Sequence, residues 1–256
     1  MRSQVLQPPY IYRWAVLISV TVIVVVLVLQ AFRSDPDVAD KAHAEPRPAP
    51  EKRPDPVSAN LIRELPTDDR VVALTFDDGP HPEHTPQVLD LLAEHHAVAT
   101  FCMVGAQARR RPDLVRDVVD AGMRLCNHTV DHDERLSRRP APAIENALTD
   151  AGEDLRAAAG DHVPVGYFRA PGGNWSLPLE QMAAHQGMRP LGWSVDTRDW
   201  SRPGVAAIVA TVERGVRPGS VILMHDGGGQ RDQTVAALGR LLPWLTDRGY
   251  RFDFPS

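Results

Sequence analysis

Cysteine is scarce in this 256-residue chain, which holds only Cys102 and Cys126. Two thiolates cannot complete a tetrahedral zinc site by themselves, so a structural cysteine–zinc module is excluded. Excess positive charge is also missing. Lys and Arg number 28 against 33 Asp and Glu, giving a net charge of −5 and a pI near 6.0. The basic residues are scattered among acids, which leaves no basic footprint and excludes nucleic acid as a partner. No internal repeat is visible, so a solenoid is not expected. At 43% hydrophobic the chain can bury one substantial core but hardly two.

Long apolar runs are absent with one exception. Ala15 to Phe32 carries no charge and is interrupted only by Ser19, Thr21 and Gln30. Eighteen helical residues span about 27 Å, close to the hydrocarbon thickness of a bilayer. Arg2 and Arg13 precede the run, while Asp35, Asp37 and Asp40 follow it. That bias predicts a cytoplasmic tail (1–13), an uncleaved signal anchor (14–32) and an extracytoplasmic remainder, with a cleaved signal peptide as the alternative. Residues 33–66 are rich in Pro, Ala and charge, and predict a disordered tether reaching on the order of 100 Å. The folded unit is expected over 67–256, as a monomeric domain held at the cell membrane by a single pass. Both cysteines lie in strand-like runs on the outer side. Strands lie about 5 Å apart, so Cys102 and Cys126 are disulfide candidates, with buried free thiols as the alternative.

After Pro66, strand-like and helix-like signals alternate. Strands are expected at Val71–Phe76, Ala97–Val104, Met123–Asn127, Gly166–Arg169, Arg189–Val195, Ser220–His225 and Tyr250–Phe254. Between them, helices are expected from Thr85 to His95, around Leu114–Val119, from Ile144 to Ala159, from Leu177 to Gln186, from Pro203 to Arg214 and from Gln233 to Arg248. Such alternation requires parallel strands joined by crossovers, a barrel or an open doubly wound sheet. In either case the site lies at the carboxyl ends of the strands.

Ionisable residues collect at those ends: Asp77-Asp78, Asn127-His128, Arg169, Asp196 and His225-Asp226. Two adjacent carboxylates repel by several kcal/mol in a low-dielectric cleft, so a cation is expected nearby. His128 and His132, four apart, can face one metal if the turn between them is helical. One carboxylate with two imidazoles leaves positions for water and substrate, the mark of a catalytic metal site. His81 and His84 are rival ligands in a Pro-rich loop.

These segments carry a resemblance. Thr75-Phe76-Asp77-Asp78-Gly79-Pro80, His128-Thr129-x-x-His132, Arg169-Ala170-Pro171-Gly172-Gly173, Asp196-x-x-Asp199-Trp200 and Leu223-Met224-His225 resemble, in order, the five motifs of the polysaccharide deacetylase family. This is the NodB-homology domain of carbohydrate esterase family four. The resemblance implies an α/β fold, a distorted (β/α)7-type barrel, and a metal-dependent hydrolase that removes N-acetyl groups from N-acetylhexosamine polysaccharide. It implies a metal site of Asp78, His128 and His132 for zinc, with cobalt or nickel as alternatives. Asp77 would be the general base, held by Arg169, and His225 the general acid, partnered by Asp199. The Gly172 N–H would bind the oxyanion, and Trp200 and Leu223 would line the substrate pocket. Glycine at 172, where the family often has a larger side chain, implies a more open wall. The extracytoplasmic placement points to peptidoglycan of the cell envelope, with chitin oligomers and O-acetylated xylan as alternatives.

Overall fold

Val71–Asp77 forms β1, and all seven residues are buried. Val72, Leu74 and Phe76 pack outward into the larger apolar cluster, while Val71 and Ala73 pack inward with Cys102, Cys126, Tyr167, Leu191 and Val221. A strand covered on both faces reads as an unbroken apolar run. The inward row continues through Thr75 to Asp77, so alternation carries a carboxylate to the mouth of the fold.

The computed structural model describes residues 55–256. The expected tail, membrane span and most of the tether lie outside the described residues. Among the described residues, no helix is long and apolar enough to cross a membrane. After β1 come α1 (His84–Glu94), β2 (Ala99–Met103), α2 (Gly105–Arg110), α3 (Pro112–Asp120), β3 (Arg124–Asn127), α4 (Ala141–Ala159), β4 (Val165–Phe168) and α5 (Leu177–His185). They are followed by β5 (Arg189–Pro190), β6 (Val195–Asp196), α6 (Val205–Gly215), β7 (Val221–His225), α7 (Asp232–Asp247) and β8 (Arg251–Phe252). The strands run parallel in the order β5-β4-β3-β2-β1-β7-β6, with β8 on the start of β1. This is a parallel α/β half-barrel of the expected (β/α)7 type. Cys102 and Cys126 are register partners on β2 and β3 and are joined by a disulfide.

Three expectations need correction. The fifth strand is interrupted: β5 pairs with β4, while β6, a few residues on, pairs with β7 at the other end of the sheet. The helix after β2 is two helices, broken at Arg111 (φ −134°, ψ 60°), the residue before Pro112. Proline excludes the α conformation from its predecessor. Finally, the tether does not run to Pro66. Ile62 and Leu65 are buried in the inner cluster. The Ile62 N–H donates to Pro190 O at 2.9 Å, the Gly192 N–H to Ile62 O at 2.7 Å, and the Leu65 N–H to Gly219 O at 2.7 Å. Residues 62–65 therefore fill the seam between β5 and the start of β7, where the interrupted strand leaves backbone groups unpaired.

Candidate active site

A cavity of about 790 Å³ opens at the carboxyl ends of the strands. Asp77, Asp78, His128, His132, Gly172, Trp200, Leu223 and His225 all line it, so eight expected residues meet in one place. Arg169 and Asp199 stand directly behind them.

Asp78 lies just past β1 at φ 72°, and Thr129 (φ 66°) and His132 (φ 59°) also take left-handed backbone. Each such residue costs about 1 kcal/mol, so the surrounding structure must hold them in place. The chain between the two histidines is thus a bend and not the expected helical turn. The His132 N–H donates to Thr129 Oγ1 at 3.1 Å, and the Thr129 N–H donates to Asn127 Oδ1 at 2.9 Å. The result still aims both rings at one carboxylate. Asp78 Oδ1 is 3.5 Å from His128 Nε2 and 3.4 Å from His132 Nε2.

His128 Nδ1 lies 2.8 Å from Arg169 O, an acceptor only, so Nδ1 must carry the hydrogen and Nε2 presents a lone pair. Burial lowers the His128 pKa, which disfavours a second proton. That lone pair faces Asp78 Oδ1, itself buried and without a hydrogen-bond partner. Lone pairs converging without a hydrogen between them repel unless a cation sits among them. The donor set, one carboxylate and two imidazoles with an oriented outer bond, fits a divalent transition metal. The backbone of Gly227 and Gly228 presses against Asp78, leaving no room for a Cβ on either glycine.

The rival histidines are engaged elsewhere. His84 Nε2 accepts the Arg231 N–H at 3.1 Å, and His81 Nδ1 accepts the backbone N–H groups of Glu83 and His84 at 3.3 Å each. Neither lines the cavity.

Arg169 is wholly buried and crosses the barrel mouth from β4 to β1. Its Nη1 donates to Asp77 Oδ1 at 2.6 Å and to Thr75 Oγ1 at 2.9 Å, while Nε and Nη2 donate to Leu191 O and Gly192 O. On the neighbouring β7, in register with Asp77, His225 Nδ1 donates to Asp199 Oδ1 at 2.7 Å. Asp199 also accepts the N–H groups of His225 and Trp200 and the Thr234 hydroxyl. Burial alone would lower the His225 pKa, but the hydrogen bond and charge of Asp199 outweigh it and raise it. Burial likewise works against ionised Asp199, yet its bonds to His225 and Thr234 hold its pKa below the usual range.

Gly172 has φ 61°, and its N–H donates to no other described residue. The wall there is not open: a Cβ would lie 2.9 Å from Asn174 Nδ2 and 3.4 Å from Glu134. Trp200 is 49% exposed at the rim. Asp226 does not line the cavity. It is buried behind the β1 turn, where the Thr85 hydroxyl donates to it, and burial pushes its pKa up to about 7. Thr234 and Glu134 carry no local signal in the sequence. Their roles arise from contacts across α7 and the loop after β3.

The family model for polysaccharide deacetylase matches residues 64–191. The chain is 47% identical over 189 residues to a chitooligosaccharide deacetylase of Sinorhizobium fredii, covering 70% of this chain and 87% of that one. It is 40% identical over 191 residues to a peptidoglycan-N-acetylglucosamine deacetylase of Bacillus cereus, covering 74% and 88%. Among solved structures, the Bc1960 peptidoglycan N-acetylglucosamine deacetylase superposes with a TM-score of 0.71 at 34% identity, covering 75% of this chain and 89% of that one. With motifs, fold and relatives in agreement, this chain belongs to the polysaccharide deacetylase family and is a hydrolase of carbon–nitrogen bonds.

Proposed function

We propose that the protein is a metal-dependent deacetylase of N-acetylhexosamine polymer at the cell envelope, with peptidoglycan as its substrate. The observation that carries the metal reading is the unpartnered Asp78 Oδ1 facing His128 and His132. Asp78, His128 and His132 would hold the ion, with zinc first and cobalt or nickel as substitutes. When bound, such an ion polarises water and the acetamide carbonyl.

The chain's own residues supply the rest. Asp77, oriented by Arg169, accepts a proton as water adds to the acetamide carbon. The Gly172 N–H is a donor for the oxygen on which charge develops. His225, charged through Asp199, protonates the nitrogen as the carbon–nitrogen bond breaks, releasing acetate and an amine. Trp200 and Leu223 flank the sugar. The apolar run at 14–32, the acidic flank after it and the named activity of the Bacillus cereus relative support an anchored enzyme facing the wall. Chitin oligomers are the second reading, favoured by the Sinorhizobium fredii relative. Acetate release from peptidoglycan, N-acetylglucosamine oligomers and acetylated xylan, each with and without chelator, tests this. Release from peptidoglycan that chelator stops and zinc restores is expected. Release that survives full metal removal contradicts the metal reading.

A further inference from the structure

Arg231 stands between β7 and α7, lines the same cavity as Asp78, and is only 4% exposed. Its Nε–H donates to Gly227 O at 2.7 Å and its Nη1 to Gln230 O at 3.1 Å. Those bonds fix the guanidinium in its loop and leave Nη2 without a partner among the described residues. No carboxylate of the described residues lies within 4.0 Å of it. Arg169, by contrast, is bonded to Asp77. Among the residues lining the cavity Arg231 is the single arginine or lysine; the other ionisable groups are Asp77, Asp78, Asp131, Glu134, Asp196 and three histidines.

Nη2 is not among the sealed, unpartnered polar atoms and the residue lines the cavity, so the guanidinium can take an anionic ligand there. The guanidinium is held in advance by backbone carbonyls, and its remaining N–H groups suit a planar carboxylate. Its distance from the metal-ligand cluster is short. Asp78 packs on Gly227 and Gly228, and a Cβ on Gly229 would lie 3.8 Å from Nη1 and Nη2 of Arg231. One or two backbone steps of about 3.8 Å separate these glycines. An anion at Arg231 therefore belongs to the sugar bearing the acetamide or to what is attached to it.

We propose that Arg231 recognises a carboxylate of the glycan, so that the enzyme selects acidic N-acetylhexosamine polymer over neutral polymer. The carboxylate could come from a lactyl ether on the sugar or from a peptide attached through it. The inference rests on the deacetylase reading. It names the substrate class of that site.

The experiment compares kcat/KM on matched oligosaccharides: one with a free lactyl carboxylate, one with that group as the carboxamide, and one with an acidic peptide attached. Wild type should prefer a charged substrate over the carboxamide by about tenfold or more, as for one charge-assisted hydrogen bond. Arg231→Gln should bring the ratio close to one, and Arg231→Lys should keep part of it, because a point charge remains but the fork is lost. A larger effect in the lactyl substrate or in the peptide substrate assigns the source. Equal rates on charged and neutral substrates by wild type, or a preference that survives Arg231→Gln, would overturn the inference. The wild-type comparison stands even if the variant does not fold. Acetate release from none of the substrates would instead remove the deacetylase reading, and this inference with it.

Discussion

Two walls meet at the β1–β7 pairing, where Asp77 and His225 are register partners, and each is built on a buried ion pair. On the β1–β4 wall, Arg169 holds Asp77 at 2.6 Å. On the β6–β7 wall, Asp199 holds His225 at 2.7 Å. The cation of the first pair is a guanidinium, a group that stays charged throughout the working pH range. The second pair can be switched, because imidazole titrates near neutrality and its charge depends on Asp199. A fixed cation suits the orienting of a proton acceptor, and an adjustable one suits the proposed donor. The same kind of contact does opposite work according to which cation enters it.

The largest expected effect breaks the first wall. Asp77→Asn should lower kcat by about 10² to 10⁴ across the whole pH range, with metal content unchanged, since Asp77 is outside the proposed ligand set. Steady-state kinetics with metal analysis checks this; retained turnover would strike Asp77 from the role of base. Asp199→Asn sharpens the contrast. Without that carboxylate, burial dominates His225 and its pKa falls, so the protonated donor is lost at lower pH than in wild type. The basic limb of the kcat profile should move toward acid, with a loss of about tenfold or more at neutral pH. If both variants shift the same limb, the two walls do not differ as argued.

The smallest effect on turnover concerns the place where the walls touch. Asp226, next to His225, sits against Gly79 of the β1 turn, and burial raises its pKa to about 7. The folded state thus keeps a proton that the unfolded state releases near pH 4, so this group's contribution to stability falls as pH rises from about 4 to 7. Asp226→Asn should gain on wild type as pH rises through that interval, by up to about 1.4 kcal/mol per pH unit, read as a Tm difference that widens with pH. A pH-independent difference in thermal melts would contradict the raised pKa.

Much of this was legible in the chain itself. Alternation along Val71–Asp77 already places Asp77 on the inner row, and the strand-end rule gathers Asp78, His128, Arg169 and His225 at one mouth. Local pattern suffices there because each strand is covered on both faces. It fails where pairing is not local. Arg189–Val195 reads as one strand, yet its two ends pair with strands at opposite edges of the sheet. Ile62 and Leu65 look like tether because they sit among prolines and charges, and only the seam they fill gives them a core to enter. Thr234 reaches Asp199 from 35 residues away, and nothing near it in the sequence points there. The break at Arg111 is different: Pro112 announces it.

The fit of Gly227 and Gly228 against Asp78 has a practical outcome for anyone reshaping this enzyme. A Cβ on Gly227 would strike the backbone of Asp78 and one on Gly228 its carboxylate, so the connection leaving β7 tolerates no bulk without moving Asp78. Directed evolution toward new glycans should therefore leave that connection alone. Libraries belong on the remaining borders of the opening, at Glu134, Trp193 and Trp200, where side chains and not main chain set the outline.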